Sequence, residues 1–290
     1  MQKNKNKKLP LVSIILNCYN SAKFLKKSIS SVVSQNYKNW ELIIYDNCSN
    51  DNTKSEVSKF KNNKKIKYFK SKKFYNLYNA RNLAFKKTKG SLITFLDADD
   101  WWDKNKLIRQ VGFLEKNKEY NVVYTNLFLL NEKRNKISLF SKKKLYNGQI
   151  TQLLLDDFKM PILTTMIRRK VLLKYSFDKA YNIIGDFDLF VKISLKEKIF
   201  SIQEPLAFYR IHDLNMTTNK IDLNIEELEK WLSKNSNKKY FKNYNFFNLE
   251  KIIKSLKIKK ICISGNIFQF FLEFFKKPVN LLNLKYQSYV

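Results

Sequence analysis

The chain has 290 residues, 44% apolar and 28% charged, which excludes a disordered polymer and allows one large α/β domain or two smaller ones. Lys and Arg number 56 against 25 Asp and Glu, a net charge of +31, so the surface attracts polyanions such as nucleic acid, anionic lipid and phosphorylated substrates. Three cysteines, Cys18, Cys48 and Cys262, have no metal-like spacing and cannot complete a disulfide framework, which implies a reducing compartment.

The basic start MQKNKNKKLP is followed by a β-like run and not by an apolar signal-peptide core. No stretch of about 18 uninterrupted apolar residues occurs, so a cytoplasmic protein is expected. Residues 11–16 (LVSIIL) read as a buried strand, and 21–35 as a helix with apolar Ala22, Leu25, Ile29 and Val32 or Val33 on one face. A second buried strand, 40–45 (WELIIY), runs into the polar cluster DNCSND and a helix through Phe60. Residues 66–69 predict a third strand, 79–87 a helix ending near Gly90, and 91–96 (SLITFL) a fourth strand that leads into DADD. Alternating strands and helices imply βαβ units and a mainly parallel sheet, in which ligands sit at the carboxyl ends of the strands. Both acidic clusters, at Asp46 and at 97–100, fall there.

The second half is less regular. Helices are expected at 104–116, 149–158, 169–175 and 186–195, and strands at 122–130, near Phe200 and at 206–212 (LAFYRIH). Beyond residue 219 the composition shifts to Lys, Asn and Phe, a helical extension. Within it, residues 266–277 (NIFQFFLEFFKK) place Asn266, Gln269 and Glu273 on one stripe and phenylalanines on the rest. Flanked by lysines, such a helix suits an anionic membrane surface or packing on the protein body.

The strongest chemical signal is Asp97, Asp99 and Asp100 after a buried strand. Their carboxylates repel one another, and oxygen ligands suit Mg²⁺ or Mn²⁺, which typically take one or two protein carboxylates plus substrate phosphates. The bland alternative is a solvated turn with a helix cap.

Two segments, VSIILNCYNSAKFLKKSISSVVSQNYKNWELIIYDNCSNDNT and RNLAFKKTKGSLITFLDADDWW, resemble the family 2 glycosyltransferases, with their motifs in the same order. The resemblance spans about the first 215 residues. It implies a GT-A fold, a Rossmann-like, mostly parallel mixed sheet flanked by helices. The expected layout is a GT-A domain over 1–220, with a donor half to about 103 and an acceptor half from 104, then a helical extension over 221–290. It also implies inverting transfer of a sugar from a nucleotide-diphospho-sugar, a UDP-sugar as the first choice, to a hydroxyl of a glycan or lipid-linked acceptor. The Gln-x-x-Arg-Trp motif of processive synthases is absent, so one sugar per acceptor is expected.

Residue by residue, the resemblance places Asn20, Asp46, Arg81, Asp97 and Arg210 at the donor, Asp46 as the reader of the base. Asp46 could instead cap a helix, and Arg81 could be a structural ion-pair residue. Asp99 and His212 are the metal positions for Mn²⁺ or Mg²⁺, although a lone histidine is more often a packing residue. In GDFDLF, Asp186 stands where the family places its general base, with Asp188 as the fallback. Gly185 stands where Glu is usual. Asn17 and Cys18 replace the usual Pro-Thr, and Asn47 and Cys48 the usual Asp-Gly. A basic nucleic-acid-binding protein is the rival reading, yet no RRM, KH, helix-turn-helix or zinc-finger signature is visible, and no specific nucleic acid is expected.

Overall fold

A computed structural model of the chain describes residues 9–213 and 220–264. The expected amphipathic helix at 266–277 lies outside the described residues. The first four strands are β1 (Val12–Cys18), β2 (Trp40–Asp46), β3 (Ile66–Lys70) and β4 (Leu92–Asp97). They pair in parallel in the order β3-β2-β1-β4. The chain thus builds outward from β1 to β3, then returns to place β4 on the other side of β1. This reversal opens a crevice at the carboxyl ends of β1 and β4.

Helices α1 (Ala22–Val33), α2 (Thr53–Ser58) and α3 (Leu77–Phe85) make the crossovers. Along β1 the pleat sends Val12, Ile14 and Leu16 into a core layer with α1, and Ile15 into the opposite layer with α3. The asparagine at 76 starts α3 by accepting the Asn79 N–H at 2.9 Å, two residues ahead of the start expected from apolar spacing.

The rest of the sheet is mixed. It comprises β5 (Trp101–Trp102), β6 (Val122–Asn131), β7 (Lys136–Leu139), β8 (Met166–Arg168) and β9 (Ile199–Ile211). From β4 the order continues β8-β6-β9-β5, with β7 on β6. The two strands expected near Phe200 and at 206–212 are one strand, β9. Its register against β6 slips around Asn126, where Pro205 lacks an N–H to keep the ladder regular. Strands β5, β7 and β8 were not legible in the sequence, because two to four residues carry no periodicity.

Helices α4 (Lys106–Lys116), α5 (Thr151–Asp156), α6 (Arg169–Lys174) and α7 (Gly185–Ser194) cover the second half. Two further helices, α8 (Ile221–Asn235) and α9 (Phe247–Ser264), follow. Trp231 of α8 and Leu249 of α9 are fully buried in the same apolar cluster as Phe187 and Phe190 of α7. No helix among the described residues is long and apolar enough to cross a membrane.

Candidate active site

A cavity of about 430 Å³ opens at the carboxyl ends of β1 and β4. Its lining includes Asn17, Asn20, Arg81, Asp97, Asp99, Asp186 and His212. Residues expected from three distant parts of the sequence therefore meet in one place.

Arg81 on α3 organises the centre. It is 2% exposed, and its two terminal nitrogens each donate at 2.7 Å, one to Asp97 Oδ1 and one to Asp186 Oδ1. Such a fork fixes both carboxylates in direction as well as distance. The ion-pair role left open for Arg81 is thus real, but its partners are both candidate site residues. Burial pushes the Asp186 carboxyl up to about 6; Arg81 pulls it down and Asp97 pushes it up. A carboxylate poised near neutrality suits a general base.

The acidic turn after β4 differs from a cluster of three equivalent carboxylates. Asp97 faces Arg81, and Asp99 Oδ2 lies 3.0 Å from His212 Nε2. Asp100 is fully buried and accepts the Arg210 N–H at 2.8 Å. Burial, Asp99 and Asp97 hold the Asp100 carboxyl well above the usual carboxylate range. Each carboxylate of this turn thus has a partner of its own: Arg81 for Asp97, His212 for Asp99 and the Arg210 N–H for Asp100. The turn is held at both ends. The Ser28 hydroxyl oxygen lies 2.6 Å from both the Ala98 and Asp100 carbonyls, with one proton to share between them, and Trp101 and Trp102 pair with Phe208 and Ala207 of β9.

Among the described residues, no group of three or more His, Cys, Asp or Glu side chains is arranged to hold a metal. Asp99 and His212 do form a pair on the cavity wall, with His212 seated against the Phe24 ring at 4.7 Å.

Asp46 and Arg210 do not line the cavity. Asp46 is fully buried; its Oδ1 accepts the Ser49 N–H, and its Oδ2 accepts the Tyr68 hydroxyl at 2.5 Å. These bonds hold the loop after β2; they are not the helix cap offered as the alternative, because α2 begins at Thr53 with Asn52 as its N-cap. Arg210 donates to the Asp99 carbonyl at 2.8 Å and pairs with Glu132, its guanidinium 4.9 Å from the rings of Phe24 and Trp101. It braces the acidic turn from behind. Asn20 lines the cavity but also accepts the Asn50 N–H through its side chain at 3.0 Å, tying two loops together.

Asp188, the fallback base, is 1% exposed and is not among the cavity-lining residues. It accepts Trp231 Nε1–H at 2.9 Å and pairs with Lys192. The geometry therefore separates the two aspartates of GDFDLF: Asp186 faces the cavity and Asp188 the core.

The sequence of this chain matches the family described as Glycosyl transferase family 2 over residues 13–177. The chain belongs to the family 2 glycosyltransferases. It is 32% identical over 213 residues to the Escherichia coli UDP-Glc:alpha-D-GlcNAc-diphosphoundecaprenol beta-1,3-glucosyltransferase WfgD, covering 72% of this chain and 81% of WfgD. Among solved structures, S. aureus TarS 1–349 in complex with UDP-GlcNAc superposes with a TM-score of 0.60 at 15% identity, over 92% of this chain and 73% of that one. This chain spans 43% of the longer TarS chain. The mannosyltransferase PcManGT from Pyrobaculum calidifontis, in complex with GDP-Man and Mn²⁺, gives 0.62 at 13% identity, over 92% and 79%. At these identities the structures establish the fold, which is GT-A.

For this glycosyltransferase the sequence reading missed several cavity residues, including Tyr78, Phe74, Asn182 and Lys220. Tyr78 and Phe74 look like ordinary apolar positions in a helix and a loop, and no local pattern marks them. In the sequence Asn17 is marked only as a departure from the family pattern. It lines the cavity, 9% exposed, and its amide nitrogen and oxygen have no hydrogen-bond partner among the described residues. A buried amide left unpaired is costly unless a ligand completes it.

Proposed function

We propose that this enzyme transfers one sugar, with inversion, from a UDP-sugar to a hydroxyl of a lipid-linked glycan, in the assembly of a surface polysaccharide or glycolipid. The observation that carries the reading is the Arg81 fork, which holds Asp97 and Asp186 in the cavity that Asp99 and His212 also line. UDP and a lipid-diphosphate acceptor are favoured because the name of WfgD specifies both.

In this mechanism Asp186 accepts the proton of the acceptor hydroxyl as that oxygen attacks the anomeric carbon. The new bond forms on the face opposite the diphosphate, which departs with its bonding electrons. Arg81 keeps the Asp186 carboxylate aimed and ionised, and Asp97 fixes Arg81 from the donor side. Asn20, Asp46 and Arg210 shape the donor end through the loops and the turn that they hold. Asp99 and His212 are the side chains that would hold Mn²⁺ or Mg²⁺. A two-residue pair fits ions that take few protein ligands and complete their shell on phosphates. Such an ion would supply neutralisation of the leaving diphosphate. The net charge of +31 and the phenylalanine-rich sequence at 266–277 support work at an anionic membrane face.

The test is a panel of UDP-glucose, UDP-N-acetylglucosamine and GDP-mannose, scored for thermal stabilisation with and without Mn²⁺, then for transfer to a synthetic GlcNAc-diphospho-lipid. Stabilisation by a UDP-sugar only with metal is expected, and Asp99→Ala should abolish it. Turnover undiminished by exhaustive chelation contradicts the metal role. Retention of the donor's anomeric configuration in the product contradicts inversion.

A further inference from the structure

Glu227, on α8 and 4% exposed, turns its carboxylate toward the three residues that lead into α7. One oxygen accepts the Asn182 N–H at 2.6 Å; the other accepts the Ile183 and Ile184 N–H groups at 2.9 and 3.1 Å. Ile184 is the N-cap of α7 and supplies no capping side chain. A carboxylate from another helix therefore collects the polar groups at the positive end of α7, in bonds strengthened by its charge.

Asn182 and Ile183 line the cavity, and Asp186 follows Ile184 by two residues. The same segment is held from the opposite side, where the Tyr78 hydroxyl donates to the Ile183 carbonyl at 2.6 Å. One turn further along α8, Trp231 donates to Asp188. The two grips of α8, Glu227 before Asp186 and Trp231 after it, thus bracket Asp186 on α7.

We propose that Glu227 is a positioning residue for the reaction, acting through Asp186 by holding residues 182–184 and hence the start of α7. The inference rests on Asp186 being the base. It makes α8 part of the catalytic apparatus although Glu227 itself does not line the cavity. Glu227→Gln is the sharp probe. The amide has one accepting oxygen, so whichever way it turns its NH₂ faces either the Asn182 N–H or the Ile183 and Ile184 N–H groups, donor against donor.

The experiment uses the full chain with UDP-glucose and Mn²⁺ as donor system and a synthetic GlcNAc-diphospho-lipid as acceptor. Glu227→Gln and Glu227→Ala are each made in the wild type and in Asp186→Asn. Because misplacing a reacting group by about 1 Å costs on the order of 10²-fold, kcat should fall by roughly that factor. The KM for UDP-glucose should stay within about twofold, and in Asp186→Asn the same changes should lower the residual rate by less than about twofold. A raised KM with kcat intact, or the full loss repeated in Asp186→Asn, overturns the proposal.

Hydrogen exchange separates this from failure of the base assignment. Should Asp186→Asn turn over like wild type, the base reading fails, and the amides of residues 182–184 still report the grip. In Glu227→Gln they should exchange at least about tenfold faster, beyond any change at core amides elsewhere in the chain. Unchanged protection overturns the proposal.

Discussion

Asp186 carries the sharpest expectations at the scale of single residues. A general base must be ionised, so with its carboxyl raised to about 6 the rate of transfer should fall on the acid side of about pH 6. Asp186→Asn should slow transfer by about 10²–10⁴-fold while donor binding persists. Asp188→Asn should instead lower Tm, because it disturbs the buried bond to Trp231; if that variant is dead and Asp186→Asn is active, the roles are exchanged. Stability should move the other way from activity at Asp186. Its folded-state carboxyl lies above the ordinary 3.8, so its contribution to stability is present below about pH 4 and is lost as pH rises through about 6. Asp186→Asn should therefore melt above wild type at neutral pH, and the gap should close in acid. Cys48 offers a simpler case. It sits at φ +72°, the left-handed region, where the family usually has glycine. Cys48→Gly should stabilise the chain by about 1 kcal/mol, read as a rise in denaturant midpoint, since a side chain there costs roughly that much.

At the scale of elements, the start of α7 shows why this chain departs from its family at Gly185. A Cβ there would lie 2.4 Å from the ring of Tyr78, which is buried and fixed by its bond to Ile183. The large aromatic on α3 and the glycine on α7 form one packing solution. Gly185→Ala should destabilise by about 1–3 kcal/mol, as overpacking of a filled core does, and should also reduce kcat by tilting α7. Urea unfolding and kinetics on the same variant check both. Legibility at this scale was uneven for a physical reason. Strands β1, β2 and β4 and helix α1 were visible because their apolar spacing is local and sustained. Strand β5 is two tryptophans whose partners, Phe208 and Ala207, lie about a hundred residues away, and nothing local marks it as a strand.

At the scale of the whole molecule, α8 and α9 complete the core. Trp231, Phe241 and Leu249, nearly or fully buried, belong to the cluster under α7. A chain ending at residue 220 should therefore expose that cluster and fail to fold, seen as aggregation or a lost cooperative transition. A chain ending at residue 264 should fold and bind donor. If residues 266–277 dock on lipid, that shorter chain should no longer co-sediment with anionic vesicles; equal sedimentation of both chains would assign the attraction to the basic body instead.

The sequence by itself determined the class of fold and the chemical character of the site. Strand and helix periodicities are local, and a parallel sheet puts the ends of its strands, hence Asp46 and Asp97 to Asp100, on one edge. It also offered the candidates: the acidic cluster at 97–100 from its place after a buried strand, and Arg81, Asp186 and His212 through the resemblance to the family 2 glycosyltransferases. Only the tertiary structure decided which of them meet. Arg81 meets Asp97 across 16 residues and Asp186 across 105, and Glu227 reaches back 45 residues to Asn182. Such partnerships depend on how helices pack over a sheet. Hydrophobic spacing says that a face is buried, but not which charged side chain on the neighbouring element it will meet there.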